Sequence, residues 1–245
     1  MSKIKLLNVN IDNLTLSEAV DEVDKLIKKK EPSYIVTPNV DHVVRLEEDL
    51  EFKKSYDNAS LVLTDGMPLV WISKLKNSGI KERVCGSDLF PKVCELAAKK
   101  GYKVFLLGAA EGVAEIAAKN LKAKFNNLNI CGIYSPKYGF EKSEVEINKI
   151  VNLVNESQPD ILVLGLGTPK QEKFIYQYRE TLKVPVTLAV GASIDFEAGK
   201  VKRAPMLMRK IGLEWFYRLC KEPKRMFKRY ILTDLKIIKL IFKYR

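Results

Sequence analysis

Residues Ile161-Leu162-Val163-Leu164 are apolar without exception, and they run into Gly165-Leu166-Gly167-Thr168-Pro169-Lys170-Gln171 at the start of a helical pattern. A strand with no polar face has no side to turn to water, so it belongs inside a parallel sheet covered on both faces. The glycine-rich break then puts a helix N-terminus at the carboxyl end of that strand, where open α/β sheets bind ligands. The unit recurs. Val104 to Leu107 precedes Gly108-Ala109-Ala110-Glu111-Gly112, and Val184 to Val190 runs into Gly191-Ala192-Ser193. Tyr34 to Thr37, Leu61 to Leu63 and Ile130 to Tyr134 read as further short strands, and Leu6 to Ile11 as a first strand or hairpin arm. Between them apolar residues return at helical intervals. Ala19, Val23 and Ile27 follow the capping-box spacing Thr15-Leu16-Ser17-Glu18; Leu89, Val93 and Ala97 follow a cap at Ser87 or Asp88; Ile147, Ile150 and Val154 follow Ser143. Strands alternating with helices predict an α/β fold with a doubly wound, mainly parallel, Rossmann-like sheet.

The predicted strand ends carry the residues that can do chemistry. Leu61-Val62-Leu63 ends in Thr64-Asp65-Gly66-Met67-Pro68, which sets a carboxylate between a strand and a helix opened by proline. Asp65 suits a turn cap as well as a catalytic base. Thr37 and Asn39, after the Tyr34 strand, offer a hydroxyl and an amide to a ligand and are equally ordinary turn formers; Asp41 is a candidate cap for the helix that follows. Arg83 precedes the next helix, where its planar fork suits a phosphate. Gly108 and Ala109 leave bare backbone N–H groups at a helix start, the layout of a nucleotide-binding turn. This turn is not G-x-G-x-x-G, and there is no P-loop. Lys170 and Gln171 sit where side chains can reach a diphosphate or a sugar. Asp195, in Asp195-Phe196-Glu197, is the nearest imitation of a D-x-D metal motif and reads better as a nucleotide contact.

Charge divides the chain in two. Of the formal +12, residues 1–199 contribute nothing, with 27 Lys and Arg against 27 Asp and Glu. Residues 200–245 hold 15 basic residues against Glu214, Glu222 and Asp234. We therefore divide the chain into an α/β body, 1–199, whose strand ends suit a nucleotide, and a basic helical appendage, 200–245. From Met206 the appendage reads as helix with Leu207, Ile211, Trp215 and Leu219 on one face; Pro223 opens a second helix lined by Phe227, Tyr230, Ile231, Leu235 and Ile238. A basic amphipathic helix with aromatic residues fits an anionic membrane surface, where each Lys or Arg contributes about 1 kcal/mol. A helical hairpin packed on the body, with its charged face in water, fits the same pattern. Nucleic acid is disfavoured, because it would leave the apolar stripe nothing to bury against.

The four cysteines form no C-x-x-C pair, and His42 is the single histidine, so reduced thiols and no metal site are expected. The N-terminus shows no apolar signal region, and the apolar C-terminal stretch is cut by Asp234, Lys236 and Lys239. The expectation is a cytoplasmic protein held peripherally on the inner face of the membrane.

Seven motifs in order resemble the WecG/TagA/CpsF glycosyltransferase family over nearly the whole chain. They are Thr37-Pro38-Asn39, Thr64-Asp65-Gly66-Met67-Pro68-Leu69-Val70-Trp71, Glu82-Arg83-Val84-Cys85-Gly86-Ser87-Asp88-Leu89, Gly167-Thr168-Pro169-Lys170-Gln171-Glu172, Val190-Gly191-Ala192 with Asp195-Phe196, Arg203-Ala204-Pro205, and Gly212-Leu213-Glu214-Trp215 through Arg218 to Glu222-Pro223. The resemblance implies a hexosyltransferase that moves N-acetylmannosamine, with inversion, from UDP-N-acetylmannosamine to undecaprenyl-diphosphate-linked N-acetylglucosamine in wall teichoic acid synthesis. Under it residues 1–199 bind the nucleotide sugar, the appendage 200–245 meets the membrane and folds over the cleft to complete the active site, Asp65 is the general base and Arg83 a catalytic cation. Thr37, Asn39, Gly108, Ala109, Lys170, Gln171, Asp195, Arg218 and Arg225 bind substrate, and no cofactor or metal is required. The partners implied are the UDP-sugar donor, the lipid-linked acceptor and the anionic membrane surface, with a homo-oligomer left open. Three other readings stand beside it: a relative using another donor such as the mannosaminuronic acid sugar, a nucleotide-binding oxidoreductase, and a non-catalytic membrane adaptor.

Overall fold

The computed structural model describes residues 2–244; the side chains of Lys210, Arg225 and Leu232 lie outside the described set. Six strands form one parallel sheet: β3 (Ser33–Val36), β4 (Leu61–Val62), β5 (Lys103–Gly108), β6 (Asn129–Tyr134), β7 (Ile161–Gly165) and β8 (Val186–Ala189). Their order is β4-β3-β8-β7-β5-β6, so all six carboxyl ends share one edge of the sheet. β1 (Lys3–Leu6) and β2 (Val9–Asp12) form a separate antiparallel hairpin.

Alternation along the strands fills both faces. Val36, Leu107, Leu162 and Leu164 pack with Val43, Ile150 and Phe174 on one side. Ile35, Leu106, Val163 and Leu188 pack with Val23, Ile27, Leu89, Val93 and Leu121 on the other. Each such aliphatic side chain, taken fully out of water, contributes about 1.5–3 kcal/mol. Where β5 and β7 end, a Cβ on Gly108 would stand 2.6 Å from the Gly165 carbonyl, so only glycine admits that approach.

The expected capping box at Thr15 and Glu18 is present, and Ser143 Oγ accepts from Glu146 N. Two caps differ from expectation. Asn39, not Asp41, caps helix Val40–Glu48, because its side chain is the one that reaches the His42 N–H. Helix Gly86–Lys100 begins before Ser87 and Asp88, and Asp88 is occupied by arginines.

The appendage is helical but not as two regular helices. Its first part breaks into Met206–Lys210 and Glu214–Lys221; its second runs from Pro223–Lys228 through a wider π-helical turn, Arg229–Thr233, and a tighter 3-10 turn, Asp234–Lys236, into Ile237–Lys243. The first break is at Gly212, whose φ is +81° and whose absent Cβ would meet Met67 Cγ at 2.7 Å and Trp71 at 3.1 Å. The chain turns there because it is pressed onto helix Met67–Leu75. Further on, Met226 and Leu240 are buried, and Lys236 and Lys243 pair with Glu48 and Glu47 along helix Val40–Glu48. The basic segment is therefore folded back across the end of the body that carries β3 and β4.

Candidate active site

β4 is only two residues long and lies at the sheet edge. Asp12, buried in the hairpin, accepts the Val62 N–H at 2.9 Å and satisfies a donor at that edge. Beyond it the chain stays aligned with the β3 extension: Leu63 N bonds Val36 O at 2.9 Å and Asp65 N bonds Pro38 O at 2.8 Å. Gly66, at φ +112°, then turns the chain into helix Met67–Leu75, with Pro68 in its first turn. Asp65 does not cap that helix; Gly66 holds the cap position without a side-chain bond. The Asp65 carboxylate accepts no hydrogen bond from the described side chains and faces a pocket of about 640 Å³, open to solvent.

The rest of the pocket comes from both parts of the chain. Asn39, Val40, Gly66, Met67, Pro68 and Arg83 belong to the body, and Arg209, Glu214, Trp215, Arg218, Arg229 and Asp234 to the appendage. Two acids organise the arginines. Arg83 donates through Nη1 to Glu214 Oε2 at 3.3 Å and through Nη2 to Asp88 Oδ2 at 3.0 Å. Arg218 donates to Glu214 Oε1 at 3.1 Å, Arg203 to Asp88 Oδ1 at 2.8 Å, and Arg209 lies 3.6 Å from the same Asp88 oxygen. On the other wall Arg229 Nη2 donates to Asn39 Oδ1 at 2.9 Å.

Burial pushes the Asp65 carboxyl above the ordinary carboxylate range, Glu214 pushes it the same way, and Arg218, Arg83 and Arg229 pull it back. Burial also carries Asp234 up to about 6, against the pull of Arg229. Asp88 is held below its ordinary value by Arg203, Cys85 and Arg83, which outweigh the opposing effect of burial. The pocket therefore combines a free carboxyl of raised proton affinity with several fixed guanidinium groups. That combination can remove a proton and receive an anion.

A second polar chain links helix Val40–Glu48 to the turn after β7. Tyr56 Oη bonds His42 Nδ1 at 2.7 Å, His42 Nε2 bonds Thr168 Oγ1 at 2.9 Å, and Thr168 Oγ1 donates to Glu172 Oε1 at 3.0 Å. Gln171 donates to that same oxygen at 2.9 Å and accepts the Gly191 N–H at 3.3 Å. Burial holds His42 neutral, lowering it from 6.5 to about 3. One tautomer satisfies every bond: Tyr56 donates to Nδ1 and Nε2–H donates to Thr168.

Among the residues singled out in the sequence, Asn39, Asp65, Arg83 and Arg218 line this one pocket, and Thr37 is buried beside it before Pro38. The others sit farther along the sheet edge. Gly108 ends β5 and Ala109 follows it, four strand spacings or roughly 19 Å from β4. Lys170 pairs with Glu141 at 2.6 Å, outside the pocket. Gln171 is committed to Glu172 and Gly191, as above. Asp195 lies in the short helix Ser193–Glu197, and burial raises its carboxyl. The Arg225 side chain lies outside the described residues. Sequence reading assigned no site role to Arg209, Glu214, Trp215, Arg229 or Asp234. Glu214 and Trp215 stood in a recognised motif, and the appendage was expected over the cleft, but nothing local showed which of its other residues reach the Asp65 pocket.

A family model described as "Glycosyl transferase WecG/TagA/CpsF family" matches residues 4–245. A Bacillus subtilis (strain 168) protein, named N-acetylglucosaminyldiphosphoundecaprenol N-acetyl-beta-D-mannosaminyltransferase, is 32% identical over 235 residues, covering 94% of this chain and 90% of its own. Proteins of the same name from Bacillus spizizenii and Staphylococcus aureus (strain MW2) are 32% and 28% identical, covering 86% and 91% of this chain and 79% and 87% of their own.

Proposed function

The chain belongs to the WecG/TagA/CpsF family of glycosyltransferases, and from that premise we propose that it transfers N-acetylmannosamine from UDP-N-acetylmannosamine to undecaprenyl-diphosphate-linked N-acetylglucosamine. The product is the lipid-linked disaccharide on which wall teichoic acid is built. The relatives' names support this donor sugar and acceptor. The observation that carries the reading is the Asp65 carboxyl, without a hydrogen-bond or ion-pair partner among the described residues and raised in proton affinity, inside a pocket walled by arginines.

The reaction is a single displacement. Asp65 takes the proton from the acceptor hydroxyl as that oxygen attacks the anomeric carbon of the donor. The bond from that carbon to the β-phosphate oxygen breaks, the configuration inverts, and UDP leaves with the bonding electrons. Arg83 and Arg218, already oriented by Glu214, meet the charge that develops on the diphosphate without reorganising during the step. Thr37 and Asn39 position sugar groups at the end of β3. The nucleotide lies along the strand-end edge toward Gly191 and Gly108, the carboxyl ends of parallel strands where such sheets bind nucleotides.

The appendage completes the pocket and meets the membrane. Trp215, Phe216, Phe227, Ile231 and Phe242 are exposed among lysines and arginines, a composition that suits the headgroup region of an anionic leaflet. No helix among the described residues is long and apolar enough to cross a membrane. A lipid-linked acceptor would thus reach Asp65 from the surface on which the appendage rests.

The test is product formation by purified protein from UDP-N-acetylmannosamine and lipid-linked N-acetylglucosamine, with the uronic acid donor in competition. Asp65→Asn should bind donor and lose turnover by at least a hundredfold. Equal turnover by the variant, or preference for the competing donor, overturns the reading.

A further inference from the structure

Arginines close to a carboxylate ordinarily pair with it, yet Asp65 has no such partner among the described residues although Arg83, Arg218 and Arg229 all line its pocket. The geometry shows what holds them off. Both terminal nitrogens of Arg83 are engaged, one by Asp88 and one by Glu214. Glu214 spends its second oxygen on Arg218 and lies 3.9 Å from Arg203. Its side chain is only 13% exposed, so these pairs are shielded from solvent. Glu214 is also the acid that the appendage contributes to this cluster, and it ties an arginine of the body to one of its own.

We propose that Glu214 is a positioning residue for glycosyl transfer: it holds Arg83 and Arg218 at the diphosphate side of the pocket and so keeps Asp65 free to act as the base. The inference rests on the role given above to Asp65. Each anchored arginine nitrogen carries two hydrogens and spends one on its acid, so hydrogens remain for a phosphate. Without Glu214, Arg83 and Arg218 lose an anchor in a pocket they share with the Asp65 carboxylate, on which both already act. Pairing there would satisfy the base and misplace the cations together. Because Glu214 comes from the appendage, the arrangement exists only when the appendage is docked.

The charged groups facing Asp65 set the direction of the effect. From helix Leu50–Asp57 comes Tyr56; from the loop before helix Gly86–Lys100 come Arg83 and the Cys85 thiol; from helix Met206–Lys210 comes Arg209; from helix Glu214–Lys221 come Glu214 and Arg218; from the turns after it come Arg229, Tyr230 and Asp234. Removing the Glu214 charge takes away a group that raises Asp65, and releasing two arginines adds groups that lower it. Both changes favour the ionised carboxylate.

The test compares wild type, Glu214→Gln and Glu214→Asp in the full-length chain. Turnover is followed against pH, and the Asp65 carboxyl is titrated by carbon NMR without substrate, assigned through Asp65→Asn. Glu214→Gln should lower kcat tenfold or more and move both the acid limb of the profile and the NMR midpoint down by about one pH unit or more. Glu214→Asp should recover most of both. An unchanged midpoint in Glu214→Gln, or a loss confined to the melting temperature with kcat of the folded protein intact, overturns the inference. If wild type makes no product, the assigned reaction fails, and the NMR midpoint alone still decides the positioning role.

Discussion

Asn39 Oδ1 accepts two hydrogen bonds at once, from the His42 backbone N–H at 3.3 Å and from Arg229 Nη2 at 2.9 Å, although Arg229 lies 190 residues along the chain. One atom thereby closes a helix of the body and fastens the appendage over the pocket. Asn39→Ala should cost about 1 kcal/mol from the lost cap and lower turnover at least tenfold through the freed Arg229. Asn39→Asp, which keeps the cap and gives Arg229 a charged partner, should melt at or above the wild-type temperature. Denaturant midpoints and turnover on lipid-linked acceptor measure the two effects separately.

Gly212 should be the most sensitive glycine of the appendage. Gly212→Val combines a φ that valine avoids with a Cβ at 2.7 Å from Met67 Cγ. The expected outcome is a body that melts almost unchanged, an appendage cut faster by limiting protease within 200–245, and turnover reduced tenfold or more. Truncation near residue 200 should lose both turnover and binding to anionic vesicles. Undiminished activity in the truncated chain would remove the appendage from the mechanism.

The pH dependence follows from the raised Asp65. As a base it acts when ionised, so turnover should rise with pH through a value above the ordinary carboxylate range. Its effect on stability runs the other way. A carboxyl raised on folding contributes stability below its unfolded value of about 3.9 and loses that contribution as pH rises through its folded value. Asp65→Asn should therefore melt higher than wild type at neutral pH, with the gain vanishing toward pH 4. Calorimetry across that range checks the sign.

His42 is depressed from 6.5 to about 3 and should confer acid sensitivity. Its neutral form is favoured on folding, so its contribution is complete above 6.5 and falls away as pH drops from there toward 3. His42→Gln breaks the bonds to Tyr56 and Thr168 and leaves their hydroxyls underserved at about 1–3 kcal/mol. Its unfolding free energy should be lower at pH 7 and flatter between pH 6.5 and 4 than that of wild type.

Turnover should survive EDTA. With arginines fixed by Asp88 and Glu214 at the pocket wall, leaving-group charge can be met by the chain's own cations. An EDTA-sensitive rate restored by a divalent ion would assign that task elsewhere.

Much of the body was legible in its sequence. Ile161–Leu164 can only be a covered strand, and it is the fully buried start of β7. Asp65 stands at a strand end as its flanking residues required, because an apolar run followed by Gly66 and Pro68 leaves few other backbones. Caps were less legible. Asn39 and Asp41 both suit the start of one helix, and only packing selected Asn39. The appendage was least legible: its pattern supports long amphipathic helices, and the break at Gly212 exists because Met67 and Trp71 approach it.

Hydrophobic periodicity is local, so the chain by itself determined a parallel α/β sheet, polar strand ends on one edge, and a charge surplus confined to residues 200–245. It also carried the family motifs. Which strand ends meet was decided by strand order, and β4 beside β3 brings Asp65 to Asn39 while leaving Gly108 four strands away. Only the tertiary fold closed the Asp65 pocket with Glu214, Arg218 and Arg229. Those pairings join residues 131 and 190 positions apart, and no local pattern encodes a contact whose geometry depends on everything packed between its ends.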